Sequence, residues 1–133
     1  MAEATAERIT DIGPPHYSKF LPPVIKENYG KWKYHRILEP GVLLHVAESG
    51  AELYSVRVAS PRLISTIFAR ELCDIADKYC DGYLRFTSRH NCEFLVQDKS
   101  KLEPLKAELK ERGLPIGGTG HSVTNIVHTQ GWV

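Results

Sequence analysis

Two arginines and a threonine alternate with other residues in Tyr83-Leu-Arg-Phe-Thr-Ser-Arg-His-Asn91. Read as a strand, this stretch projects Arg85, Thr87 and Arg89 from one face, about 6.6 Å apart at each step of two. Two guanidinium groups flanking a hydroxyl make a cradle for carboxylates or for an oxyanion, because guanidinium presents paired donors in a fixed fork. The plainer alternative is a solvated sheet face on which these arginines pair with Glu93 or Asp81. Spacing alone leaves both open.

A second candidate is the glycine loop Gly117-Gly-Thr-Gly120, whose backbone amides can approach an anionic ligand. It lacks the Gly-Lys-Ser/Thr ending of a P-loop. It also follows a helix and not a strand, unlike a dinucleotide fingerprint. A plain loop after a helix C-cap is the alternative. Six histidines occur, none paired at metal-ligand spacing. His121 and His128 stand seven apart on an extended segment and so face opposite sides of it. A lone strand histidine such as His45 reads as a packed side chain. No Gly-x-Ser-x-Gly elbow for hydrolysis is present.

Three cysteines, Cys73, Cys80 and Cys92, are too few and wrongly spaced for a self-contained zinc or iron–sulfur site. Cys73 and Cys80 are about 10.5 Å apart along a helix, beyond the ~7 Å a disulfide bridges. They share a helical face and read as buried thiols of a reducing compartment. The 133 residues suit one domain able to bury a core without disulfides. Seventeen basic against sixteen acidic residues exclude a general polyanion binder. No apolar run reaches the ~20 residues that span a bilayer, and no signal-peptide pattern opens the chain. The expectation is a cytoplasmic chain without membrane insertion.

Positioning these residues requires a scaffold. Gly41–Ala47 and Glu52–Val58 read as a hairpin, joined through Glu48-Ser-Gly-Ala51. Ser60 caps and Pro61 opens a helix running to about Cys80, with Ile64, Phe68, Leu72, Ile75 and Tyr79 at helical spacing. A second hairpin follows, Tyr83–Ser88 with Cys92–Gln97, then a helix from Ser100 to Arg112 stopped by Gly113. The order ββαββα predicts an α+β fold of ferredoxin-like type, an antiparallel sheet with two helices on one face. Residues 41–112 form this unit. Residues 1–40, rich in proline and carrying Tyr29-Gly-Lys-Trp-Lys-Tyr-His-Arg36, read as an extended arm with at most a short helix near Val24–Tyr29. The arm suits a subunit contact better than nucleobase stacking, since no RNA-recognition signature accompanies it. Residues 113–133 form the glycine loop and an alternating tail that halts at Val133, as a truncated chain would.

Four stretches then point to a family: Ile9-Thr-Asp-Ile-Gly-Pro-Pro-His-Tyr17, Tyr29-Gly-Lys-Trp-Lys-Tyr-His35, Cys73 through Arg89, and Gly117-Gly-Thr-Gly120 through Trp132. Together they closely resemble the beta subunits of dissimilatory sulfite reductases, within the sirohaem sulfite and nitrite reductases, over essentially the whole chain. The resemblance implies a ferredoxin-like half-domain and a reaction, the six-electron reduction of sulfite to sulfide or its reverse. It implies sirohaem and a [4Fe–4S] cluster in the full complex, with none held by this chain alone. It implies an alpha subunit as partner in an alpha2beta2 assembly, a small sulfur-carrier protein, and sulfite as substrate.

By the same resemblance Arg89 is the catalytic candidate, matching the arginine that lies over the sirohaem face and contacts bound anion. Arg85, Thr87, Arg89, Asn91, Thr119, Gly120, His121 and His128 become the cofactor-contacting candidates. Two departures follow. Thr124 stands where the alpha subunit and assimilatory relatives carry a second arginine, which implies basic groups supplied by the partner subunit. The family's cluster-ligating cysteines fall beyond Val133, and the three cysteines here do not match them. A freestanding ferredoxin-like module binding an anion or a nucleic acid, without redox activity, is the alternative reading.

Overall fold

Alternation along three strands decides which side of the sheet receives the core. In Val42–Ala47 (β2), Glu52–Val58 (β3) and Cys92–Val96 (β5), every second side chain enters one cluster: Val42, Leu44, Tyr54, Val56, Val58, Cys92, Phe94 and Val96. That cluster is closed by Leu72, Ile75 and Ala76 of Thr66–Tyr79 (α2) and by Leu102, Leu105 and Leu109 of Leu102–Glu111 (α3). The computed structural model describes residues 14–123. Its sheet has five antiparallel strands in the order β1-β2-β3-β5-β4, where β1 is Trp32–Glu39 and β4 is Leu84–Phe86. Within 41–112 the ββαββα order is the expected one, with both long helices on one face.

Four details differ from the sequence reading. Trp32–Glu39, taken as part of an arm outside the core, is a strand paired antiparallel with β2, His35 opposite His45, with register shifts between Trp32 and Tyr34 and between Ile37 and Glu39. The sheet therefore begins at Trp32, and the boundary at residue 40 falls inside the turn that joins two strands. Its aromatic and β-branched residues suit a strand, yet all but Trp32 are exposed, so no buried alternation announced it. Upstream, a 3-10 turn at Tyr17–Phe20 leads to the short helix Pro23–Glu27 (α1). This segment packs on its own sheet: Pro22 is buried, and Val24 N donates to Gln97 Oε1 at 3.3 Å.

The first long helix starts at Thr66, several residues after Ser60-Pro61. Its cap is Ser65, whose hydroxyl accepts from Phe68 N at 3.1 Å, a bond that satisfies one of the orphan donors of the first turn. Ser65→Ala is expected to cost about 1 kcal/mol, read as a lowered urea midpoint with unchanged slope. The second hairpin is also shorter than Tyr83–Ser88, because β4 ends at Phe86. Finally, Cys73 is exposed while Cys80 and Cys92 are buried. Cys80 is the helix C-cap, at φ −125, so the helical spacing that would align it with Cys73 no longer holds there. Among the described residues no helix is long and apolar enough to cross a membrane.

Candidate functional site

The sheet face turned away from α2 and α3 carries the polar residues. On it lie Arg85 of β4, Glu93 of β5, Arg57 and Ser55 of β3, His45 of β2 and His35 of β1, brought side by side by the register. Glu93 is the centre. Its side chain is 1% exposed, and it accepts from Arg85 Nε at 2.6 Å and from Arg57 Nη2 at 3.3 Å. Burial alone would raise its pKa. The hydrogen bond and charge of Arg85, then the Ser55 hydroxyl and the Arg57 charge, outweigh it and hold the carboxyl below its ordinary 4.5.

The Ser55 hydroxyl, which helps hold Glu93 ionised, also forms a hydrogen bond with His45 Nε2 at 3.2 Å. Burial lowers the His45 pKa below 6.5. Glu93 pulls it back, while Arg85, His35 and Arg57 push it further down. The balance favours the neutral form of the His45 imidazole. Trp32 meets it edge-on at 6.4 Å and His35 lies 6.1 Å away. A cavity of about 200 Å³ beside it is lined by Ile25, Trp32, His45, Leu53 and Arg85.

His45 and Glu93 both have folded pKa values below their unfolded ones, so each contributes stability that is complete above the unfolded value and lost as pH falls. Urea midpoints are expected to decline once pH drops below 6.5 and again below 4.5. Asp98 and Glu108, also lowered, add to the second stage. A midpoint that stays level from pH 7.5 to about 5.5 would contradict the His45 assignment.

The predicted strand-face trio is not assembled as such. Arg85 is on β4, but Thr87 and Arg89 lie in the turn beyond it. There Thr87 Oγ1 accepts from Arg89 N at 3.3 Å and Asn91 N at 3.2 Å, while Thr87 N donates to Asn91 O at 2.8 Å. Thr87 is therefore the organiser of the turn that presents the exposed Arg89, with His90 at φ +66 inside it. Asn91 is buried at the start of β5. Of the two readings of Arg85, its pairing with Glu93 is realised. Its side chain is nonetheless 51% exposed, so the guanidinium edge remains at the surface.

The glycine loop lies against the same sheet. Gly117 N donates to Arg57 O at 2.9 Å, Ala59 N to Pro115 O at 3.0 Å, and Gly41 N to Thr119 Oγ1 at 3.1 Å. Gly41 sits at φ +84, and a Cβ there would strike the Gly117 backbone and the Ile116 side chain. This close approach accounts for a glycine in the β1–β2 turn. Thr119 thus holds the loop to that turn, Gly120 has φ +61, and His121 is exposed. His128 and Thr124 lie outside the described residues.

Sequence reading missed Arg57 as a link between these parts, and it treated Glu93 only as a possible ion-pair partner. The available signal was a charge inside each apolar run, Val56-Arg-Val58 and Cys92-Glu-Phe94. A charged residue at an interior strand position needs a partner on the same face of the neighbouring strand.

Residues 45–112 match the nitrite/sulfite reductase ferredoxin-like half domain. The chain belongs to that family. It is 59% identical over 96% of its length to the dissimilatory-type sulfite reductase subunit beta of Nitratidesulfovibrio vulgaris, covering 35% of that protein. Against the subunit beta of Megalodesulfovibrio gigas it is 52% identical over 99% of its length, covering 53%. Against that of Archaeoglobus fulgidus it is 57% identical over 93%, covering 36%. The chain thus spans about a third to a half of the length of these curated relatives.

The family implies two groups, and the described residues suit them unequally. Sirohaem is a macrocycle ringed by carboxylates, and the surface edge of Arg85 and the exposed Arg89 are the donor chemistry it calls for. A [4Fe–4S] cluster is not suited. Burial pushes the Cys80 and Cys92 thiols up to about 12, Cys73 is exposed, and no group of three or more His, Cys, Asp or Glu among the described residues could hold a metal ion.

Proposed function

We propose that this chain is the amino-terminal part of a dissimilatory sulfite reductase beta subunit and forms part of the wall of a sirohaem and sulfite site. The observation that carries the reading is 59% identity over nearly the whole chain to such a subunit, and the cationic edge formed by Arg85 and Arg89 supports it. Arg85 would hold macrocycle carboxylates. Arg89 would meet the bound oxyanion and stabilise the negative charge that builds as oxygen leaves as water. Thr87, Asn91, Thr119, Gly120 and His121 line the neighbouring turn and loop, and His128 belongs to the same set. When bound, sirohaem would supply the electron chemistry of the six-electron reduction of sulfite to sulfide, or its reverse.

The same reading gives the remaining parts their roles. Residues 1–40 would contact an alpha subunit in an alpha2beta2 assembly in the cytoplasm, through exposed Tyr17, Phe20, Tyr29, Tyr34 and Ile37. A small sulfur-carrier protein is a further partner. Residues 113–133 would open the next sirohaem-binding domain. The test is purification of the native protein under anaerobic conditions. A longer beta chain copurifying with a larger subunit and a haem-like chromophore is the expected result. A colourless 15.0 kDa chain, folded alone, would establish the freestanding module instead.

A further inference from the structure

Glu93 divides its two oxygens between two strands. Oε2 takes Arg85 from β4, and Oε1 takes Arg57 from β3. The other terminal nitrogen of Arg57, Nη1, donates to Gly118 O at 2.8 Å. Three consecutive polar contacts thus run from Arg85 through Glu93 and Arg57 to the middle of the glycine loop. Gly118 itself has φ +78, a backbone conformation in which glycine avoids the strain of a side chain.

Stability gives little reason for this arrangement. Buried ion pairs are on average no better than well-packed apolar residues of the same size, because desolvation offsets the attraction. Here two guanidinium groups face one carboxylate, which leaves a surplus positive charge on the sheet face. Arg57 Nε is in addition buried with no hydrogen-bond partner, a state that costs free energy and calls for an explanation. The parts do make sense as a device for registering two separate pieces of backbone. β4 is only three residues long, so its own ladder holds Arg85 weakly.

We propose that Glu93 is a positioning residue that, with Arg57 as its arm, fixes the loop Gly117–Gly120 in register with Arg85. One buried carboxylate thereby sets both walls of the site. The inference rests on the proposed function, in which Arg85 and the loop face the same macrocycle. Glu93 touches neither cofactor nor substrate and acts only through the two arginines.

The experiment uses the full-length beta subunit in its native complex, carrying Glu93→Gln, Arg57→Gln or both. Hydrogen exchange is followed by mass spectrometry in peptides covering 83–91 and 113–121, and sirohaem content is measured after gel filtration. Glu93→Gln keeps the volume and removes the charge. It is expected to raise exchange about tenfold in both segments, and Arg57→Gln in the loop segment alone. The double variant should add nothing further in the loop, since one chain of contacts has already been cut. Sirohaem should be lost from all three. Glu93→Asp, able to reach one arginine but not both, replaces Glu93→Gln if that complex does not assemble, with the same expectation for at least one segment. Loop exchange unchanged in Glu93→Gln, or exchange unchanged in both segments of Glu93→Asp where that replaces it, overturns the positioning role. Raised exchange with sirohaem fully retained overturns the assignment of Arg85 and the loop as site walls while leaving the contacts themselves intact.

Discussion

Replacing Glu93 by alanine is expected to lower the stability of the fold by about 3–5 kcal/mol, the usual cost of removing one member of a buried ion pair. The reason lies in what is left behind. Arg85, half exposed, can turn its guanidinium into water. Arg57 cannot do so, since its side chain is 17% exposed and its Nε already lacks a partner. Loss of Glu93 therefore strands a charge beneath the glycine loop, and Ser55 loses its acceptor as well. For a domain of this size the loss corresponds to a fall in melting temperature of roughly 10–20 °C. Glu93→Gln, which keeps a hydrogen-bond acceptor at the same place, should recover a good part of it. Differential scanning calorimetry of the two variants beside the parent chain makes the comparison. An alanine variant melting within about 2 °C of the parent would mean that the carboxylate is not the centre of the cluster.

Under the proposed function, Arg89→Ala is expected to carry the largest effect on activity. Its backbone is held by the Thr87-centred turn while its side chain stands exposed, so truncation removes a cation and leaves the turn's own hydrogen bonds in place. Stability should hardly change, within about 0.5 kcal/mol. In the intact reductase, sulfite turnover should fall by roughly 10²- to 10³-fold, the range typical of losing one preorganised donor to developing negative charge. Sirohaem content should stay level, because Arg85 and the loop remain in place. Arg89→Lys should restore part of the rate, since it returns the charge but not the planar fork. Steady-state rates at saturating reductant, with sirohaem counted per complex, distinguish a lost anion contact from a lost cofactor. Undiminished turnover would remove Arg89 from the site.

Both effects come from residues whose importance was unequally visible. The Arg85, Thr87 and Arg89 spacing stands out because charges at every second position are easily noticed, but the periodicity carried the strand too far. Strand pairing with β5 stops at Phe86, opposite Cys92, and the hydroxyl of Thr87 then closes a turn in place of joining a face. Glu93 and Arg57 were hidden for the opposite reason. Each looked like a single polar interruption of an apolar strand, and only pairing between strands distant in the chain makes them neighbours.

The linear sequence by itself determined the class of the fold. Apolar positions at period two in β2, β3 and β5, and at helical period in α2 and α3, fix which faces must meet, and those faces can be buried together in few ways. It also placed the chain in its family through residues that stand in unbroken runs. Three things were decided only in three dimensions. One is that Trp32–Glu39 joins the sheet, because an exposed edge strand has no buried periodicity to reveal it. Another is that Ser65 and not Ser60 caps the helix, because packing selects among competing caps. The last is that a single carboxylate gathers two arginines and a glycine loop. Electrostatic partners are set by distance across the sheet, and distance between strands is a property of the tertiary fold alone.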